Sequence, residues 1–415
     1  MALPPLPSSP LVSVLMSNYN YAPYLGAAID SVLAQTYQNI QLVICDDGSS
    51  DGSRAIVERY AATDRRITAL FKSNGGQPSG WNMAWPECHG EIICVLDADD
   101  TFAAEKIAAV VAAMQKSNCG LLIHALTVTD AEGTPVQRIP FLTPFERGFL
   151  AEKMIARGGR WRCMPSSALC LRREVADFIF PVPEDLFMGH ADSMVVGLAP
   201  LLAPVDALDD CLGTYRVHGR NTMGGDFRDL KSARQAAKCM LQMAEGVNCR
   251  LAEIGSAARL NPKDNPQLLQ ASFMVELLEG RPRLLLIGKL PRLLRALWRD
   301  DMYRATQKLL GSVTYTGAVL LPVRLRGRWL GMILRYSRLK NFIQTLLRIL
   351  TPRKRRSRPF AATAWTADSQ IPEEKPVALG QRAPPSAAPA PVGPSRGKSD
   401  AVYAGVSPGH CDNVG

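Results

Sequence analysis

The stretch Glu91-Ile-Ile-Cys-Val-Leu-Asp-Ala-Asp-Asp100 constrains the fold of this chain more than any other. Its apolar residues, Ile92 to Leu96, run without interruption and stop at three carboxylates, Asp97, Asp99 and Asp100. A run of that length, rich in β-branched residues, suits a strand buried on both faces, as parallel strands between helical layers are. In such sheets ligands bind just beyond the carboxyl ends of the strands. Three acids gathered there repel one another unless a cation or hydrogen-bond donors meet them. Hard oxygen donors suit Mg²⁺ or Mn²⁺, which stay bound through one or two carboxylates and substrate phosphates. Taken alone, the segment fits a solvated acidic turn equally well, capping a helix that begins near Ala103.

The flanking sequence supplies the rest of a sheet. Leu11 to Ser17 reads as a first strand, followed by Asn18-Tyr19-Asn20 and a helix from Pro23 to about Gln35. A second strand, Ile40 to Cys45, also ends in acids, Asp46 and Asp47, and Ser50 or Asp51 can cap the next helix. Ile67 to Phe71 is a third strand, followed by the turn Asn74-Gly75-Gly76 and a short helix from Pro78 to Pro86. Ala103 to Gln115 is helical and Gly120 to Thr129 is a strand. This alternation predicts an α/β fold, a Rossmann-like, mostly parallel sheet flanked by helices. Past a hairpin turn at Asp130 to Gly133, Phe145 to Arg157 reads as helix and Cys163 to Leu171 as strand. Arg173 to Phe178 reads as a short helix, and Cys211 to Val217 as a strand. The expected organisation is a flexible N-terminus over 1–10, then one domain over 11–225 with halves 11–129 and 130–225. A helical, basic region over 226–350 and a disordered Pro/Ala-rich tail over 351–415 complete it.

Charge separates these parts. The chain carries a net charge of +10, but Arg281 to Arg358 alone holds 20 basic residues against two acids, leaving −8 for the remainder. A mildly acidic body with a basic arm points to an anionic contact for the arm. Trp329, Met332, Tyr336, Leu339, Ile343, Leu346 and Leu350 fall on one helical face, and Arg353 to Arg356 follow. That pattern suits an anionic membrane surface, or a helix packed on the body with its charged face solvated. No nucleic-acid motif is present. The ten cysteines show no paired C-x-x-C spacing and read as free thiols of a reducing compartment. Residues 1–10 lack a signal peptide's basic and apolar regions, and no uncharged apolar run reaches about 18 residues. The expectation is a cytoplasmic protein, peripheral at the inner face of the plasma membrane if the arm binds there.

G-x-G-x-x-G after the first strand and G-x-x-x-x-G-K-[ST] are both absent, which disfavours dinucleotide oxidoreductases and P-loop nucleotidases. If strands one, two and four lie side by side, Tyr19 could pack a planar base and Asp47 could accept from a base imide. With the acids at 97–100 they describe a nucleoside-diphosphate site.

Val12 to Asn20, Gln35-Thr36-Tyr37, Asp46 to Gly52, Asn74 through Asn82, Gly90-Glu91, and Leu96 to Asp100 resemble the family 2 glycosyltransferases of the GT-A type. The match is in order and spacing. The similarity resumes at Ala191-Asp192 and at Tyr215 to Asn221, and spans roughly residues 10–225. The resemblance implies a nucleoside-diphosphate-sugar donor, a divalent metal (Mn²⁺ or Mg²⁺) and inversion at the anomeric carbon. The implied acceptor is a glycan or a lipid-linked glycan, and the implied setting is cell-surface polysaccharide assembly. Tyr19, Asp47, Asn74, Asp97 and Asp99 would bind the nucleotide-sugar. Asp99, Asp100 and His218 would hold the metal, and Asp192 would be the catalytic base. Many members keep an acid immediately before the base, where this chain has Ala191. Arg157-Gly-Gly-Arg160-Trp161 echoes the Q-x-x-R-W motif of processive synthases but lacks its Gln and precedes Asp192, so single sugar addition is expected. The competing readings are a non-catalytic nucleotide-sugar or glycan-binding module on the same fold, and a nucleotidyltransferase.

Overall fold

The computed structural model describes residues 1–139, 144–187, 189–219, 229–303, 305–326 and 329–330. The strands are β1 (Val12–Asn18), β2 (Ile40–Asp46), β3 (Ile67–Phe71), β4 (Ile92–Val95), β5 (Leu121–Thr129), β6 (Pro135–Ile139), β7 (Leu169–Arg172) and β8 (Val205–Arg216). The helices are α1 (Ala22–Leu33), α2 (Ser53–Thr63), α3 (Gln77–Ala84), α4 (Lys106–Ser117), α5 (Ala151–Ala156), α6 (Arg173–Ile179) and α7 (Asp192–Leu202). They continue with α8 (Leu230–Glu253), α9 (Pro266–Leu278), α10 (Arg283–Arg299) and α11 (Ala305–Leu320).

All eight strands form one mixed, mostly parallel sheet in the order β3-β2-β1-β4-β7-β5-β6, with β8 also on β5. β1 lies between β2 and β4 and is parallel to both, which brings the ends of the first, second and fourth strands to one edge. β7 enters antiparallel between β4 and β5. One edge of β5 is shared by β7 and β6, so the parallel β8 runs along the other.

Side chains alternate across this sheet as the two-residue period requires. Val12, Val14 and Met16 pack on one face with Ile29 of α1, Val57 of α2 and Val110 of α4. Leu15, Ile93 and Val95 face the other way, against Trp81 of α3, Val175 of α6 and Val195 of α7. Helix α8 closes on α7 and on the loop before it at glycines: a Cβ at Gly197 would stand 2.7 Å from Val247, and one at Gly246 2.5 Å from Phe187 of that loop. A third cluster, with Phe273, Leu286, Leu293 and Val319, joins α9, α10 and α11. Among the described residues no helix is long and apolar enough to cross a membrane.

Several expectations are corrected. Residues 1–10 are not loose: Leu3 sits in the core, its carbonyl accepts from Asn118 at 2.9 Å, and the Pro4 carbonyl accepts from Arg172 at 2.7 Å. The helix expected over Phe145 to Arg157 shrinks to α5, because Phe145 and Leu150 turn into the core outside helical spacing. The strand expected from Cys163 begins only at Leu169, after a 3₁₀ turn at Ser166–Ala168. The domain boundary expected near 225, the tail over 351–415, and nearly all of the amphipathic segment from Trp329 to Leu350 lie outside the described residues.

Candidate active site

The site is built at the carboxyl ends of β1, β2 and β4. Asn18, the last residue of β1, is buried and donates to Asp46 Oδ2 at 2.7 Å and Ser49 Oγ at 3.1 Å. This ties the loops after β1 and β2 together and leaves Tyr19 at the rim, 48% exposed. Asp47 is buried, and its carboxylate accepts from Lys72 Nζ at 2.8 Å, Gly75 N–H at 3.0 Å and Gly76 N–H at 2.7 Å. A carboxylate offers about four lone-pair directions. Asp47 thus spends most of its capacity shaping the turn that presents the exposed Asn74, where the sequence had suggested an open acceptor.

At the end of β4 the acids diverge. Asp100 is buried, and its two oxygens accept from the Ser167 hydroxyl at 2.5 Å and the Arg216 N–H at 2.8 Å. Burial, then the neighbouring Asp99, push its carboxyl up to about 8, against the pull of those donors. The buried Lys106 donates to the Ser167 carbonyl at 2.9 Å and so supports the same corner from below. Asp97 is likewise raised well above the carboxylate range, first by burial and then by Asp100, Asp99 and Asp192. Asp99 Oδ2 lies 2.8 Å from His218 Nε2. The imidazole stacks on Tyr24 (centroids 5.1 Å apart, 16° between planes), and the Arg216 guanidinium lies 5.0 Å over the same Tyr24 ring.

Asp192 opens α7. Gln77, at the start of α3, accepts from the Ala191 N–H at 3.0 Å and donates to Asp97 Oδ1 at 3.4 Å. The Ser166 hydroxyl interacts with both the Asp97 and the Asp192 carboxyls and lowers the pKa of each. Burial nonetheless leaves Asp192 raised, with His190 and the Ser193 N–H pulling it back. Tyr215 feels all four acids: burial and then Asp100, Asp97, Asp99 and Asp192 push its phenol up to about 12. Two carboxylates 95 positions apart therefore belong to one polar cluster.

The three side chains expected to bind metal do not stand together. Asp100 is turned into Ser167 and Arg216, which leaves Asp99 and His218 as the adjoining pair. Among the described residues no three His, Cys, Asp or Glu side chains converge on a common point. The pair still fits a divalent cation, since Mg²⁺ and Mn²⁺ complete their shells with substrate phosphates. The mutual repulsion that raises Asp97 is also what a cation would relieve. Ser166, Ser167 and Tyr24 were not singled out from the sequence, because neutral polar residues carry no spacing signal. Gln77, Tyr215 and Arg216 lay within quoted stretches without a role.

Comparison with known proteins bears on this geometry. Residues 13–180 match the family model described as Glycosyl transferase family 2. An uncharacterized glycosyltransferase of Nostoc sp. is 31% identical over 265 residues, covering 63% of this chain and 82% of that protein. The Escherichia coli enzyme WfgD, a UDP-Glc:α-D-GlcNAc-diphosphoundecaprenol β-1,3-glucosyltransferase, is 37% identical over 113 residues. That match covers 27% of this chain and 44% of WfgD, less than half its length. The crystal structure of Staphylococcus aureus TarS 1–349 superposes with a TM-score of 0.46 at 16% identity, covering 77% of this chain and 90% of that one. The protein is an enzyme, a glycosyltransferase. It belongs to glycosyl transferase family 2.

Proposed function

We propose that the enzyme transfers one sugar per encounter from a nucleoside-diphosphate-sugar to a hydroxyl of a glycan or lipid-linked acceptor, with inversion and with a divalent metal. The setting is assembly of a cell-surface polysaccharide, at the inner face of the plasma membrane. The observation that carries the reading is that Asp97 and Asp192 both interact with the Ser166 hydroxyl, while Gln77 links Asp97 to the backbone N–H of Ala191, the neighbour of Asp192. In this reading Tyr19 packs the base, with Asn74 beside it and Asp47 exchanging a loop N–H for the base imide. Asp97 and Asp99 meet the ribose and diphosphate, and Asp99 and His218 hold Mn²⁺ or Mg²⁺. When bound, the ion supplies Lewis-acid stabilisation of the departing diphosphate. The acceptor oxygen forms its bond to the anomeric carbon from the opposite face as the carbon–diphosphate bond breaks. Asp192 takes the acceptor's proton, and its raised pKa brings it nearer to the working pH of a general base. WfgD, by its name, acts on a lipid-diphosphate-linked sugar, which supports an acceptor of that kind here.

Calorimetry with nucleoside diphosphates and Mn²⁺, paired with a transfer assay and NMR of the product's anomeric configuration, tests the proposal. Transfer with an inverted product is expected. A wild-type protein that binds the donor and neither hydrolyses nor transfers it is a binding module instead, and pyrophosphate release from a nucleoside triphosphate would mark a nucleotidyltransferase.

A further inference from the structure

Helix α10 has two apolar faces. Leu286 and Leu293 point into the third cluster, and Leu297 is buried on the same side against Gly311. Leu284, Ile287 and Trp298 recur at helical spacing on a second side and are exposed, Leu284 by 82%. Helix α11 repeats the arrangement: Tyr315, Ala318 and Val319 are buried, whereas Leu309, Val313 and Leu320 are exposed along one stripe. The two stripes adjoin. Arg283 Nε donates to the Val319 carbonyl at 3.1 Å, and Trp298 Nε1 donates to Ser312 Oγ at 3.0 Å, so the helices run antiparallel with their outer sides abreast. Apolar side chains left in water across two neighbouring helices form a continuous patch, which a soluble surface rarely keeps without a partner.

Charge identifies the partner. Between Arg281 and Arg326 the only acids are Asp300 and Asp301, and both are ion-paired to the 130–225 half, with Arg160 and Arg157 respectively. Arg292, Arg295 and Arg299 are exposed beside the apolar stripe of α10, and Lys308 sits on α11 next to Trp298. Apolar side chains with an indole at their margin and cations along the rim match the surface that settles into a headgroup layer. Anionic lipids add attraction for each cation near the surface. A water-soluble protein partner would have to supply a groove for the leucines and carboxylates for the rim, whereas an anionic bilayer supplies both at once.

We infer that the α10–α11 surface is the part of this enzyme that docks on an anionic lipid bilayer. The inference takes its purpose from the lipid-linked acceptor proposed above, but its evidence is independent of the active site. The connection between the two helices is tied to segment 157–162 by the Arg157–Asp301 and Arg160–Asp300 ion pairs, so docking fixes that segment relative to the membrane.

The test is flotation of the full chain with vesicles of phosphatidylcholine alone or with about one-third phosphatidylglycerol. Wild type is expected to float with the anionic vesicles only, and added salt should weaken the association. Leu284→Glu with Leu309→Glu should lower the partition coefficient about tenfold or more, and Arg295→Glu with Arg299→Glu should lower it as well. Leu284→Ser with Leu309→Ser decides the matter if the glutamate pair impairs folding. Sugar transfer to a water-soluble acceptor should be unchanged in all of these variants, so failure of the docking inference and failure of the glycosyltransfer reading are read separately. The inference is overturned if wild type stays with neither vesicle or floats equally with both. It is also overturned if the leucine variants float like wild type, which would move the contact elsewhere in the chain. Lipid-free self-association that the leucine variants abolish would assign the surface to a second copy instead.

Discussion

The crevice at the end of β4 and the outer side of α10–α11 break the usual distribution of residues in opposite ways. In the crevice, charge is buried: Asp99, Asp100 and Lys106 are all inside, each with a polar partner within 3 Å. On α10–α11, leucine, isoleucine, valine and tryptophan stand exposed, Leu284 most of all. Burying charge costs several kcal/mol per group before hydrogen bonds compensate, and exposed apolar patches invite aggregation. The first is tolerated where chemistry needs carboxylates of shifted pKa; the second is tolerated where the surrounding medium is not only water.

Substitutions should separate the two regions sharply. The largest effect belongs to Asp192→Asn, which should reduce transfer about 10²–10⁴-fold while calorimetric binding of donor and Mn²⁺ persists. Equal loss of both would mean that Asp192 holds the fold. His218→Ala should weaken Mn²⁺-dependent nucleotide binding about tenfold or more, with metal-free nucleotide binding little changed. Gly246→Ala should destabilise the protein by about 1–3 kcal/mol in urea unfolding, since its Cβ would meet the Phe187 ring at 2.5 Å. A smaller change is expected of Ser166→Ala. As the proposed base, Asp192 would have to be deprotonated to act, so activity should fall as pH drops through its raised pKa, and Ser166 is one of the groups holding that pKa down. Removing the hydroxyl should move the acid limb of kcat/KM upward by less than about one pH unit. The smallest effect, within about 0.5 kcal/mol of wild-type stability, is expected of Leu284→Ser, an exposed side chain with nothing to lose in water.

What the sequence disclosed follows the reach of each interaction. β1, β2 and β4 announce themselves because a strand buried on both faces must be apolar throughout, which is a local property. Their shared edge, with Tyr19, Asp47 and Asp97 along it, follows from the connectivity of an alternating α/β chain. The insertion of β7 between β4 and β5 is not local: Cys94 pairs with Cys170 across 76 positions, and nothing in either segment names the other. The same holds for Asp100, whose carboxylate reads as a metal ligand from its neighbours yet is taken by Ser167 and Arg216. The role of Gln77 was invisible for a further reason, because a glutamine at a helix start is ordinary until both ends of its amide are seen to be engaged.

The position of β8 has a consequence for how the molecule comes into being. Among the named strands it pairs with β5, with bridges to Phe102 and Gly148, and it carries the backbone N–H that holds Asp100 and leads directly to His218. A ribosome that has released residues 1–200 has delivered every acid of the crevice but neither the histidine nor the amide that steadies them. The candidate site is therefore completed by one late strand, which sets an amide against Asp100 and an imidazole against Asp99.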